Sequence, residues 1–239
     1  MTDAPLLIFL DDYHLGDPLF VDGLAQRMGR SPARPRCLLV HGGGEEAVRA
    51  LEGEGLFPEM QDGVPTVAGG AGAAVVERAV RQLNRTIVGT LTDAGVPAVG
   101  VHGADRGLLR PGADGRIEAG RAGWLHALVA QGGVPVVSAL VEPAAGPWRL
   151  APPAQVVRAL AESGAEHGLA VVLLARSGTP GGAGTAALTL REALAAGTPE
   201  AGVARAALEG GVEVWLSSPG GLFGGGGRQG TRLLPLEPA

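Results

Sequence analysis

Leu38-Leu39-Val40-His41-Gly42-Gly43-Gly44-Glu45 is the stretch on which the fold of this chain turns. An unbroken apolar run followed at once by three glycines predicts a strand that ends in a tight turn, with a helix beginning near Glu45. Glycines let another backbone approach closely, and the free amides at a helix N-terminus suit an anion. By itself a triple glycine is an ordinary turn, so its surroundings decide what it means.

On either side, short β-type runs alternate with helical patterns. The runs are Leu6 to Leu10, Leu38 to Val40, Ala98 to Val101, Val134 to Val137, Ala170 to Leu174 and Val212 to Leu216. Alternation of this kind predicts parallel strands joined by crossover helices. Val76, Val80, Leu83, Ile87 and Leu91 recur at spacings of three and four and predict an amphipathic helix lying on the sheet. Gly95-Val96-Pro97 and Gly132-Gly133-Val134-Pro135 end helices and feed strands. Thr189 and Glu192 have capping-box spacing, and Thr198-Pro199 reads as a further helix start. The Pro-, Ala- and Gly-rich segment from Glu142 to Pro153 is the expected boundary between lobes, and Gly220 to Gly230 is expected to be a loop.

The chain has 239 residues, enough for one large α/β domain or two intimate lobes. Only 3% of residues are aromatic against 46% hydrophobic, so the core is expected to be Ala, Val and Leu. A net charge of -5 without a basic stripe argues against nucleic acid as the main partner. Neither a basic N-terminal region nor an apolar run of about 20 residues is present, so no membrane partner and a cytoplasmic location are expected. Every basic residue is arginine; the chain contains no lysine. The single cysteine, Cys37, reads as a buried structural thiol.

Two polar clusters are candidate chemistry. Asp11, Asp12 and His14, with Asp17, offer oxygen-rich ligands for a hard metal, or else form a solvated turn after the first strand. His41 and His102 each end a strand and are candidates for an acid-base pair across one pocket, or for satisfied structural histidines. Ser138, Ser217 and Ser218 read as strand-end hydrogen bonders.

The glycine turn is followed by Asp62-Gly63, then Leu83-Asn84-Arg85-Thr86-Ile87-Val88, then Ala98-Val99-Gly100-Val101-His102-Gly103-Ala104-Asp105-Arg106-Gly107. Gly120-Arg121-Ala122-Gly123, Val134 to Ser138, Leu222-Phe223 and Gly230-Thr231 come after. In this order the segments resemble the successive motifs of the amino acid kinase family, in particular acetylglutamate kinase and its aminoadipate-kinase relatives. The resemblance implies a three-layer αβα sandwich on a mainly parallel sheet. It implies an N-terminal lobe (1–146) holding an acyl-amino-acid site and a dimer surface, and a C-terminal lobe (147–239) holding a nucleotide site. It places the substrate at His41, Gly42, Gly43, Gly44, Asp62, Gly63 and Asn84.

Where the family carries charge for phosphoryl transfer, this sequence departs from it. The strand lysine is replaced by Phe9, and a glycine pair by Asp11-Asp12. Val64 or Pro65 stands where an arginine grips the substrate carboxylate, Leu150-Ala151-Pro152 where an asparagine and an aspartate are expected, and Arg176 where an aspartate orders the lysines. The last lysine position reads Glu200. Phosphoryl transfer depends on positioning and electrostatic stabilisation, and a chain without lysine cannot supply catalytic lysines. Arg176 and Arg228 are the candidate substitutes. The expectation is a degenerate, ligand-binding or regulatory homo-oligomer with no cofactor. The alternatives are a working Mg-ATP-dependent kinase of an N-acylated acidic amino acid, in arginine or lysine biosynthesis, and a metal-dependent enzyme on the same scaffold.

Overall fold

A computed structural model of the chain describes residues 4–67, 72–142, 146–175, 187–195, 201–224 and 229–235. In chain order it begins with β1 (Leu6–Leu10), α1 (Asp12–Leu15), α2 (Pro18–Arg30), β2 (Cys37–His41) and α3 (Gly44–Gly53). Then come β3 (Glu59–Gln61), β4 (Val64–Thr66), α4 (Ala73–Asp93), β5 (Ala98–His102), β6 (Leu109–Pro111) and β7 (Ile117–Ala119). Next are α5 (Gly123–Ala130), β8 (Val134–Ser138), β9 (Leu140–Val141), β10 (Arg149–Leu150), α6 (Pro153–Gly164) and β11 (Ala170–Leu174). Last are β12 (Ala187–Thr189), α7 (Leu190–Ala195), α8 (Ala201–Glu209), β13 (Val214–Ser217), α9 (Pro219–Phe223) and β14 (Thr231–Leu234).

Eight strands form one sheet in the order β12-β14-β13-β11-β1-β2-β8-β5, parallel throughout except where β13 meets β14. Every residue of β1, β2, β8 and β11 is buried, which explains why these strands read as unbroken apolar runs: helices cover both faces. On one face Leu7, Phe9, Leu38 and Val40 pack with α3, α5, α6 and α8. On the other, Leu6, Ile8, Cys37 and Leu39 pack with α2 and α9. This is the expected three-layer sandwich. Cys37 is fully buried, and desolvation pushes its thiol up to about 12.

The expected lobe boundary does not interrupt the sheet, because β1 hydrogen-bonds to β2 on one side and to β11 on the other. Leu140 and Leu150 pair across the short β9–β10 ribbon. The expected loop from Gly220 starts instead as α9. Pro219 sits at its first turn, and the Ser218 hydroxyl accepts from the Gly221 amide at 3.1 Å. The capping box is present: Thr189 N donates to Glu192 Oε2 at 2.7 Å and Glu192 N to Thr189 Oγ1 at 3.2 Å. Thr198 and Pro199 lie outside the described residues.

Candidate functional site

In a parallel sheet the C-terminal strand ends are where loops converge and ligands bind. Here β1 ends at Leu10, just before Asp11, β2 at the glycine turn, β8 at Ser138 and β5 at His102. His41, Ser138 and His102 are register partners across three neighbouring strands, so one row carries all three.

The row is a hydrogen-bonded network around α4 with one buried ring nitrogen left over. Asn84, buried in that helix, donates from Nδ2 to the Val136 carbonyl at 2.9 Å and meets His41 Nε2 at 3.1 Å. The bond to a carbonyl fixes the amide orientation, so His41 Nε2 accepts and its proton lies on Nδ1. That Nδ1 has no partner among the described residues. Desolvation, with His102 adding like-charge repulsion, pushes His41 down to about 3. His102 Nδ1 bonds Ser138 Oγ at 2.8 Å, and burial with the Arg81 cation nearby lowers its pKa. His41 and His102 thus share one row with Ser138 of β8 between them, and each ring is hydrogen-bonded to the chain.

The glycine turn is closely packed. A Cβ at Gly42 would meet Pro153 Cγ at 2.8 Å, at Gly43 the Leu83 Cδ2 at 2.8 Å, and at Gly44 the Gly63 carbonyl oxygen at 2.7 Å. Gly43 also needs its φ of +85°. Asp62 and Gly63, both at positive φ, form the turn of the β3–β4 hairpin that brings that carbonyl in. Anion-binding amides are expected at this turn, but a carboxylate of the chain already sits there. Asp12 Oδ2 accepts from the Glu45 amide at 3.4 Å, and the Gly43 amide also draws on it. Burial nevertheless raises the Asp12 pKa.

The metal-site candidates do not gather. Asp11 caps α1, accepting from His14 N at 2.9 Å, and pairs with His14 Nδ1 at 2.5 Å, while Asp12 turns to α3. Among the described residues no three His, Cys, Asp or Glu side chains form a possible metal site. A cavity of about 680 Å³ at this end of β1 and β11 is lined by Asp12, His14, Asp17 and Glu45, with Tyr13, Phe20 and Ala175. Arg176 and Arg228 lie outside the described residues.

A second cavity, of about 260 Å³, lies beside the hairpin and is walled by Val64, Val67, Val76, Trp148 and Leu150. The Arg81 guanidinium stacks on Trp148 at 4.2 Å from the ring centre. Sequence reasoning missed Trp148 and Arg149, which also lines this cavity, because both fall in the segment read as a lobe boundary.

Solved structures share this architecture over nearly the whole chain. N-acetylglutamate synthase from Neisseria gonorrhoeae superposes with a TM-score of 0.68 at 20% identity, covering 98% of this chain and 60% of that one. An isopentenyl phosphate kinase covers 96% of this chain and 100% of its own, with a TM-score of 0.62 at 18% identity. In sequence, acetylglutamate kinase from Chloroflexus aurantiacus is 36% identical over 143 residues, 55% of each chain. This chain has the amino-acid-kinase fold and is similar in sequence to acetylglutamate kinases. It spans about half the length of the curated relatives it matches. No family model matches it. Within the amino-acid-kinase fold, Phe9 is buried in the strand where the resemblance placed a lysine, against Val40 of β2. No helix among the described residues is long and apolar enough to cross a membrane.

Proposed function

We propose that this chain is an acetylglutamate-kinase relative that does not transfer phosphoryl groups and acts as a small-molecule-binding or regulatory protein. The observation that carries the reading is the Asp12 carboxylate on the amides of the glycine turn. A phosphate approaching those amides meets a negative charge of the chain, beside a cavity that Asp17 and Glu45 also line. No lysine exists anywhere to offset it. The retained glycines fit the same reading, since Pro153, Leu83 and the Gly63 carbonyl require them for packing. Self-association is part of the proposal, with the exposed Val99 of the edge strand β5 as its support.

The test is incubation of the purified chain with Mg-ATP and N-acetylglutamate or another acylated acidic amino acid, followed by ADP release and acyl-phosphate trapping. No turnover above buffer is expected. Asp12→Gly is expected to strengthen inorganic phosphate binding in calorimetry at least tenfold while still failing to turn over. Sustained turnover by the unaltered chain would overturn the proposal and make the chain a working kinase.

A further inference from the structure

The cavity beside the β3–β4 hairpin has a chemistry of its own. Its walls are aliphatic and aromatic: Val64, Val67, Val76, Trp148 and Leu150. A second hollow, of about 250 Å³, adjoins it, sharing Val64, Thr66, Arg149 and Leu150, and it is the more polar of the two, with Gln61, Asp62 and Gln155 beside Ile117, Ala151 and Pro152. Arg149 therefore stands where the apolar chamber meets the polar one. It is the single cation lining either hollow, and no ion pair or side-chain hydrogen bond engages it among the described residues.

We propose that these joined hollows bind an apolar monocarboxylate, with its tail in the chamber and its carboxylate on the Arg149 guanidinium. This rests on the reading of the chain as a ligand-binding protein and names the class of ligand. Volume limits the ligand. At about 30 Å³ per water-sized group, the 260 Å³ chamber holds on the order of nine such groups, room for a short acyl chain as the tail. Charge limits it further. One guanidinium matches one carboxylate bidentately, and a second carboxylate would meet the like charge of Asp62 with no further cation lining the hollow. An apolar wall prefers methylenes to a charged arm, which would lose its hydration there without a partner. Arg149 is the specificity-determining residue of this arrangement. Its side chain is exposed on a two-residue strand, so replacing it leaves the core intact.

Calorimetric titration of the whole chain with sodium hexanoate, glutarate and N-acetylglutamate tests the assignment, and circular dichroism checks that variants are folded. Hexanoate is expected to bind at least tenfold more tightly than either diacid. Arg149→Gln is expected to weaken hexanoate at least tenfold. Asp62→Asn, a residue that tolerates the positive φ of that turn, is expected to narrow the gap between glutarate and hexanoate. Val64→Arg is expected to reverse the preference toward the diacids. Absence of saturable hexanoate binding, tighter binding of a diacid by the unaltered chain, or full affinity in the folded Arg149→Gln variant would each overturn the assignment. ATP turnover is scored separately: its absence together with failure of hexanoate to bind removes the ligand class alone, whereas its presence removes the non-catalytic reading.

Discussion

Asn84 donates to the Val136 carbonyl and to His41 Nε2, and this bond fixes where the buried imidazole keeps its proton. Burial then sets when it charges: the ring is pushed down to about 3 from an ordinary 6.5. Because the folded pKa is depressed, the unfolded chain binds the extra proton between these values, and stability rises with pH across that window. The slope from His41 alone is about 1.4 kcal/mol per pH unit. Lowering the pH from 7 to 5 is therefore expected to remove about 2 kcal/mol of unfolding free energy, read by urea denaturation. NMR titration is expected to show the His41 ring still neutral at pH 5; a ring that protonates near pH 6 would contradict the assigned burial. That His41, Asn84 and the glycines cluster was legible from the order of the motifs, but their packing role was not. Only the fold shows that Leu83 and Pro153 close on Gly43 and Gly42. Asp12 was legible as a charge out of place, whereas its seat on the Glu45 amide depends on α1 turning it toward α3.

Helices α2 and α4 meet closely enough that side-chain size becomes a matter of backbone contact. A Cβ on Gly29 would overlap the Ala94 carbonyl oxygen at the end of α4, and a backbone carbonyl at a helix end cannot move aside cheaply. Gly23, in the same helix α2, has nothing within 4 Å of the same direction. Gly29→Ala is expected to destabilise by about 3 kcal/mol or more, and Gly23→Ala to stabilise by about 0.5–1 kcal/mol, since alanine is the better helix former. Chemical denaturation of the pair reads both signs, and equal effects would contradict the close helix crossing. Nothing in the sequence distinguishes these two glycines. Long, strongly patterned elements such as α4 and the buried strands were legible because burial on one or both faces leaves a periodic or continuous apolar trace. The ribbons β3–β4, β6–β7 and β9–β10 were not, since strands of two or three residues carry no period to read.

Across the whole molecule the sheet has two ends of different character. One is β12, a strand of three residues beside β14; the other is β5, whose Val99 is 40% exposed. An edge strand presents unpaired N–H and C=O groups, and natural edges are commonly blunted by lysine or proline within the strand. Ala98-Val99-Gly100-Val101-His102 has neither, and Pro97 stops just short of it. The net charge of -5 is small for a chain of this size, so overall repulsion opposes pairing only weakly. Two copies meeting edge to edge along β5 would extend the sheet and cover Val99, which makes the edge the best place to probe the proposed self-association. Sedimentation velocity at tens of micromolar is expected to give a dimer. Val99→Glu is expected to give a monomer whose unfolding free energy, measured at low concentration, changes by less than about 0.5 kcal/mol, because the side chain is on the surface. A monomeric unaltered chain, or a dimer indifferent to the glutamate, would leave β5 as a plain sheet edge and move any self-association to another face.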